Sequence, residues 1–324
     1  MKLISILVLF CAVASATATV EADTMDLDTS RSLVTAHQYD DAMAAVDGYL
    51  KQNPNDAAAT IVKSDIYVAW GEWDRSVDVL ENALSKNENN IDLLLALATT
   101  YRAKLMRSGM LGKLSNAKKS RKALEKAFAV DPNHLMARRE MFMYLVHAPG
   151  MAGGDKDRAE KIALESLEID EFEGRCQLAT VYWKKGNRDA SVEEYRRALE
   201  LEPDDIGAMF MLGGVLIDKE DFAACEQLAQ SFIANWPDLS EPYVGLGNCY
   251  SEQKRTEEAT EQYLKALELN PWYGDARYKV ARLYEKNKDK EQAAYHYRIL
   301  IERNPGYVDV GKAKKQLRKI EKGR

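Results

Sequence analysis

Cysteine and histidine are scarce in this sequence, and their spacing excludes the common metal and redox motifs. Only four of each occur in 324 residues, and no C-x-x-C pair is present. The histidines, His37, His134, His147 and His296, lie far apart without the ligand spacing of a zinc site. The sequence therefore predicts no metal site, no cofactor and no catalytic residues, and we expect a protein that is not an enzyme.

Long apolar runs are absent after the first residues. Lys2 precedes an apolar run over residues 3–14, and Ala14, Ala16 and Ala18 follow in A-x-A spacing. This layout is typical of a cleavable secretory signal, so we expect residues 1–18 to be removed and the protein to be periplasmic or secreted. Retention as a membrane anchor is the alternative, although the run is shorter than the roughly 20 residues that a spanning helix needs.

Positive charge is in slight deficit overall but concentrated in one stretch. The net charge is −6, which gives no reason to expect a nucleic acid partner. Residues 102–126, however, contain nine cations and a single acidic residue. A solvated helix face is one interpretation, and a basic edge facing an anionic envelope surface, a cell-wall polymer or an acidic protein is the other. The residues assigned to this basic edge are Arg107, Lys113, Lys118, Lys119 and Lys122.

Prolines are few, yet four of the eight are evenly spaced. Pro203, Pro237, Pro271 and Pro305 follow one another at intervals of 34 residues, and a fixed period of this length indicates a repeat architecture. The residues between them repeat as well. Before Pro271 the pattern comprises Leu246, Gly247, Tyr250, Ala259, Tyr263 and Ala266, and before Pro305 it comprises Val280, Ala281, Tyr284, Ala293, Tyr297 and Leu300.

These residues resemble the tetratricopeptide repeat (TPR) family, in which each unit consists of two antiparallel helices. The resemblance implies an all-α fold, a right-handed α-solenoid of about eight helix-turn-helix repeats. The expected units are 23–56, 57–90, 91–134, 135–171, 172–205, 206–239, 240–273 and 274–307, followed by a capping helix and basic tail over 308–324. Small residues at Gly247 and Ala259 would let paired helices approach closely, and the ring of Tyr263 would fill the remaining space.

The period is broken in two neighbouring units, where we expect enlarged loops on one edge. About ten extra residues fall near 105–114, and a glycine-rich stretch with Gly150, Gly153 and Gly154 precedes Asp155. Insertions of this kind often mark a binding face. The glycine-rich stretch lacks the Gly-Lys-Ser/Thr ending of a phosphate loop, so a long turn, with Asp155 capping the next helix, is favoured over a ligand site.

The resemblance also implies a concave groove formed by the first helix of each unit. Its centre is apolar and aromatic, and it suits an apolar or helical peptide. The residues assigned to this groove are Cys176, Thr180, Trp183, Phe210, Gly214, Ile217, Val244, Asn248, Tyr278 and Arg282.

The cysteines allow at most one bridge in the mature chain. Cys11 lies in the expected signal, which leaves Cys176, Cys225 and Cys249. Cys225 takes the place that Ala259 holds one unit later, so we expect it to be a buried small side chain.

Together these features predict a non-enzymatic scaffold or adaptor of the periplasm or cell envelope that binds a peptide or partner protein in its groove. Two alternatives remain. One is a non-catalytic subunit of an envelope assembly or transport complex. The other is a solenoid that binds a small ligand through the glycine-rich loop.

Overall fold

The computed structural model describes residues 27–303 and 310–323. Within these residues the backbone forms 17 α-helices and one short 3-10 turn, with no strand. The predicted signal at 1–18, Cys11 and Pro305 lie outside the described residues. The chain divides into two compact units, each larger than a single repeat. Met1–Glu140 is called the first unit and Met141–Arg324 the second unit, and each is described by itself.

The first unit contains six helices and the beginning of a seventh. These are α1 (Leu27–Thr35), α2 (Tyr39–Gln52), α3 (Ala57–Trp70), α4 (Trp73–Lys86), α5 (Ile91–Arg107), α6 (Met110–Val130) and α7 (Leu135–His147), which runs through the boundary. From α1 to α6, consecutive helices pack on each other, and α3 also packs on α1 and α5.

The second unit continues with ten helices after α7. These are α8 (Lys156–Ser166), α9 (Glu171–Lys185), α10 (Arg188–Leu201), α11 (Ile206–Asp218), α12 (Phe222–Asn235), α13 (Ser240–Glu252), α14 (Thr256–Leu269), α15 (Gly274–Lys286), α16 (Lys290–Arg303) and α17 (Val310–Glu321). Again each helix packs on its neighbour in sequence, and α11 also packs on α9 and α13. The fold is therefore the all-α helical repeat that the sequence predicts.

Short polar side chains determine where many helices begin. Asp56, Asn90 and Asp205 each accept a hydrogen bond from a backbone N–H in the first turn of α3, α5 and α11. At the other end, α3 and α9 stop at Gly71 and Gly186, whose φ angles of 78° and 86° are left-handed. Glycine adopts this conformation without a Cβ clash, so the chain turns there.

Close helix pairing in the second unit depends on small residues, as predicted. Ala259 is fully buried, and a Cβ atom at Gly247 would lie 2.6 Å from the ring of Tyr263. The Tyr263 hydroxyl donates to Asn248 Oδ1 at 2.9 Å, so the one polar atom of this buried ring is satisfied. The packing thus combines close backbone approach with a filled gap.

A disulfide joins Cys225 on α12 to Cys249 on α13, with their Cα atoms 6.2 Å apart. Cys225 is buried, as expected, and it forms the one bridge that the cysteine count allows. Both residues are buried in one core cluster, where α12 and α13 bring them within bonding reach although 24 residues separate them. The bridge links two helices that the sequence assigns to successive repeat units.

The extra residues near 105–114 lengthen two helices and do not form an enlarged loop. α5 has 17 residues and α6 has 21, whereas helices such as α2, α3 and α4 have 14. Only Ser108 and Gly109 connect α5 to α6. The expectation of a loop is therefore corrected. Helix formation satisfies the backbone hydrogen bonds that an irregular segment would leave open.

The last helix, α17, packs on the second unit through its apolar residues. Ala313 is fully buried in a cluster with Ala281, Ala293, Tyr297 and Leu300, and Leu317 packs against the same cluster. Over residues 27–303 and 310–323, no helix is both long and apolar enough to cross a membrane.

Candidate functional site

Five of the predicted groove residues are neighbours on α9, α11 and α13. Phe210, Gly214, Ile217 and Asn248 line one small cavity of about 70 Å³. Trp183 lies against Gly214, where an added Cβ atom would be only 3.2 Å from the indole carbon Cη2. Glycine therefore lets the ring rest on α11. We call these five residues the aromatic face.

The indole of Trp183 is held by a carboxylate. Its Nε1 donates to Asp218 Oδ2 at 3.0 Å, and Arg188 Nε donates to the same oxygen at 2.6 Å. The hydrogen bond from Arg188, together with that from Trp183, holds the pKa of Asp218 below its ordinary value. Because Trp183 and Phe210 remain half-buried, part of each ring is accessible to a partner.

Thr180 and Val244 are buried, which corrects their assignment to the groove surface. Val244 is 1% exposed and belongs to a core cluster of α13, α14 and α15. Thr180 lies 2.8 Å from the Tyr195 hydroxyl and donates to the backbone carbonyl of Cys176. They were assigned to the groove because selecting residues one turn apart along a first helix also picks out positions that face the neighbouring helix. Cys176 itself is half-buried against a core cluster.

Asn248, Tyr278 and Arg282 have partners within the protein. The Oδ1 atom of Asn248 accepts hydrogen bonds from Tyr263 and from Lys279 Nζ at 2.7 Å, so this oxygen is engaged in joining α13, α14 and α15. On α15, the ring of Tyr278 packs on that of Tyr297, and a hydrogen bond with Tyr278 raises the pKa of Arg282. Arg282 is exposed at the end of this pair.

The first unit contains a larger groove of about 570 Å³. Its wall comes from α1, α3, α5 and α7, and it comprises Arg31, Val34, Thr35, Ala58, Ile61, Val62, Asp65, Asp92, Leu95, Ala96, Thr99, Met136 and Glu140. Arg102 Nη1 donates to Glu140 Oε2 at 2.5 Å, which ties α5 to α7 beside the groove. The groove combines an apolar wall with carboxylates, and such a surface suits a segment that carries both apolar and cationic side chains.

Asp65 is the most unusual group in this groove. Its carboxyl reaches solvent, yet the surrounding concave wall dehydrates it and raises its pKa to about 6. Burial is the single cause of this shift, because the carboxylate form loses hydration. A carboxylate in this state gains from a cation placed beside it.

The first-helix register predicts part of this second groove. Ile61, Asp65, Leu95 and Thr99 occupy equivalent places on α3 and α5, and all four line the groove. Our sequence-based site favoured the aromatic positions of the second unit and left these out. Met136 was missed because the side chains of α7 that line the groove are not at the first-helix positions that the register selects.

The residues of the basic edge lie on α6, apart from Arg107 on α5. Lys113, Lys118, Lys119 and Lys122 are exposed, and the side chain of Arg107 lies outside the described part. Lys119 Nζ is 5.2 Å from the ring centroid of Tyr101. The solvated helix face and the anionic partner are both compatible with this placement.

The glycine-rich stretch forms a closed turn. The amides of Gly153 and Gly154 donate to the carbonyls of Gly150 and Pro149, and Asp155 N–H donates to Leu145 O. A Cβ atom at Gly154 would lie 1.8 Å from the Ala148 carbonyl oxygen, so glycine is required there.

Internal bonding of this turn disfavours a phosphate site. Asp155 accepts hydrogen bonds from the N–H groups of Asp157 and Arg158 and thereby caps α8. A carboxylate already occupies the end of the helix where an anion would bind. Gly153, with a φ of 94°, serves the turn geometry. The expectation that this turn and residues 105–114 lie on one edge of the repeat array stays a prediction.

In the part of the chain that the structure describes, no three His, Cys, Asp or Glu side chains are grouped in a way that could hold a metal ion.

Comparison with known proteins identifies the family. Four models described as tetratricopeptide repeat match residues 27–91, 172–205, 240–273 and 275–307, together just over half of the chain. The fold is similar to that of a tetratricopeptide repeat protein from Parabacteroides merdae, with 16% identity and a TM-score of 0.57, covering 79% of this chain and 96% of that one. A thermophilic TPR protein from Thermus thermophilus has 20% identity and a TM-score of 0.47, covering 59% of this chain and 96% of that one. With repeat matches in both units and a helical repeat fold throughout the described residues, the chain belongs to the tetratricopeptide repeat family.

Proposed function

We propose that this protein is a non-enzymatic interaction scaffold of the cell envelope that binds a segment of a partner protein along its first helices. Membership of the tetratricopeptide repeat family supports a protein as the kind of partner. The observation that carries the proposal is the aromatic face, where Trp183 and Phe210 are half-buried beside Gly214. Aromatic side chains that are anchored yet accessible are common at the centres of protein interfaces.

The groove of the first unit supports a second contact with the same class of partner. Asp65, Asp92 and Glu140 bring negative charge to a wall that also contains Ile61 and Leu95. A segment with a lysine or arginine next to apolar residues would satisfy both features.

The test compares capture of partners by wild type and by a double variant, Trp183→Ala with Phe210→Ala. The matched control is Trp272→Ala with Tyr295→Ala, which removes one indole and one further aromatic ring at exposed positions outside the aromatic face. Any captured partner is then purified and its dissociation constant measured against all three proteins. We expect the first variant to weaken binding by about 2 kcal/mol or more, because truncating interface aromatics commonly has this effect.

Equal affinity of wild type and the Trp183/Phe210 variant would rule out the aromatic face as the binding site. Circular dichroism and thermal unfolding of both variants establish that the loss of binding is not a loss of folding.

Export to the envelope is part of the proposal. The signal-like pattern of residues 1–18 supports it, and so does the Cys225–Cys249 bridge, since disulfides persist mainly in oxidising compartments. Cell fractionation with mass measurement of the mature amino terminus tests this location. A cytoplasmic protein that retains residues 1–18 would contradict it.

A non-catalytic subunit of an envelope assembly or transport complex is a narrower version of the same proposal. It predicts recovery of one stoichiometric complex and not a set of separate partners. Binding of a small ligand at the glycine-rich turn has less support, because the amides of Gly153 and Gly154 are engaged within the turn.

A further inference from the structure

The paired ends of α5 and α6 in the first unit expose three large apolar side chains. Met106 is 73% exposed, and Met110 and Leu111 are each 87% exposed. Met106 lies in the last turn of α5, and the other two begin α6 across the short link Ser108–Gly109. We call these three residues the hairpin tip. Such exposure of neighbouring large apolar residues indicates an interaction site.

Specific contacts brace the hairpin behind its tip. Ser108 Oγ donates to Lys104 O at 2.8 Å and accepts from Asn116 Nδ2 at 2.9 Å. One turn further along α6, Ser120 Oγ donates to Ala98 O at 2.9 Å. Asn116 and Ser120 are both buried. The tip is therefore presented by a defined support.

In the sequence, cations flank the tip and no acidic residue lies close to it. Residues 104–124 contain seven lysines and arginines and no aspartate or glutamate. Lys113, Lys118 and Lys122 are exposed. Exposed like charges repel one another, so an anionic surface would stabilise this arrangement.

The lysines of α6 lie behind the tip at distances that would place them near lipid headgroups if the tip entered a bilayer. Leu111, Lys118 and Lys122 share one helix face, opposite the buried face formed by residues such as Asn116 and Ala123. With a rise of about 1.5 Å per residue, Lys113 stands roughly 4 Å behind Met110, and Lys118 and Lys122 stand roughly 10 Å and roughly 16 Å behind Leu111. Peripheral helices bury their apolar side chains about 5–10 Å into the headgroup and acyl boundary.

We propose that the hairpin tip inserts into the interface of an anionic lipid bilayer, with Lys113, Lys118 and Lys122 contacting the headgroups. Apolar insertion and attraction of lysines to anionic lipid act together in stable peripheral binding. An acidic protein is the competing partner, but it would need a pocket shaped for three side chains, whereas a bilayer interface accepts an apolar tip of any shape. Membrane attachment at this site would be independent of partner binding along the first helices.

Vesicle flotation tests this proposal with the protein purified as cells produce it. One set of vesicles is phosphatidylcholine alone, and the other contains about one-third phosphatidylglycerol. We expect binding to the anionic vesicles only, and at least a tenfold loss of partitioning between about 0.05 M and about 0.5 M salt, where screening is strong. All forms of the protein share one amino terminus, so any contribution from it is common to them.

Two variants separate the apolar and electrostatic contributions. Lys113, Lys118 and Lys122→Glu is expected to lower partitioning roughly 100-fold or more, since each lysine near an anionic surface contributes about fivefold. Met110→Ser with Leu111→Ser is expected to lower it at least tenfold at low salt through lost apolar burial. Both sets of side chains are exposed, so folding should be retained, which circular dichroism checks.

The matched control is Lys51, Lys161 and Lys290→Glu, which changes net charge by the same amount at exposed positions on three other helices. It should partition within about threefold of wild type, because headgroup attraction is local. Equal losses in the control and in the α6 variant, equal binding to neutral vesicles, or binding to neither would overturn the proposal. Binding of an acidic protein through the α6 lysines, with no vesicle binding, would also overturn it.

Discussion

At the scale of single residues, three buried tyrosines recur at equivalent places in the second unit. Tyr195, Tyr263 and Tyr297 are almost inaccessible to solvent, and their hydroxyls lie within 2.9 Å of Thr180, Asn248 and Glu285 respectively. Burial is the main cause of the raised pKa of each phenol. Each ring therefore fills a gap between helices while a first-helix side chain satisfies its hydroxyl.

The contact between Gly247 and Tyr263 predicts opposite effects of two similar substitutions on α13. Gly247→Ala places a Cβ atom 2.6 Å from a rigid ring, so we expect a loss of about 1–3 kcal/mol in the free energy of unfolding. Gly245→Ala on the same helix meets nothing closer than Met209 Sδ at 3.6 Å, and it should be neutral or stabilise by up to about 1 kcal/mol. Urea unfolding of both variants measures the difference. Equal effects at the two positions would contradict the packing account.

Asp65 predicts a pH dependence of stability in the first unit. Because its pKa is raised to about 6 from an ordinary value of 3.8, the folded protein binds this proton more tightly than the unfolded chain. The stabilisation is fully present below pH 4 and is lost as the pH rises to about 6. Asp65→Asn removes this term, so its gain over wild type in the free energy of unfolding should be larger at pH 7.5 than at pH 4.

The control for this experiment is Asp204→Asn, at an exposed turn position of the second unit. Its effect should not grow between the two pH values. If the gain from Asp65→Asn is the same at both, the groove does not dehydrate the carboxyl.

At the scale of helices and their links, the Cys225–Cys249 bridge makes a further prediction. Closing a loop of 24 residues restricts the unfolded chain, and such a bridge typically contributes roughly 3 kcal/mol. Cys225→Ala with Cys249→Ala should lose about this amount, and a reductant should destabilise wild type but not the double variant. Cys176→Ala is the control, since Cys176 is outside the bridge. A reductant with no effect on wild-type unfolding would contradict the bridge.

Sequence alone predicted most of the helices but could not assign the inserted residues. The pattern of Leu246, Gly247 and Tyr250 repeats along the chain, so it predicts helices and their pairing. Residues 105–114 have no counterpart in the other repeats. Whether they form a loop or longer helices depends on contacts such as that of Asn116 with Ser108. Likewise, the bridge depends on the distance between α12 and α13, which spacing along the chain does not give.

At the scale of the whole molecule, the period of 34 residues accounts for fold and leaves function to the surfaces. The register predicted that Trp183, Phe210, Gly214, Ile217 and Asn248 lie close together, because they occupy corresponding places on successive first helices. It could not separate them from Thr180 and Val244, whose burial depends on the neighbouring helix. The acidic groove of the first unit was overlooked for a similar reason: dehydration of a carboxyl depends on the wall around it.

The central claim is that the first-helix side of the second unit binds a partner protein. The most direct measurement replaces Phe210 with a photoreactive benzoylphenylalanine, irradiates living cells and looks for a covalent adduct. The same replacement at Tyr295, which is exposed on the second helix α16, provides the control. We expect a discrete protein adduct from position 210 and none from 295. No adduct from position 210, or the same adducts from both positions, would contradict the claim.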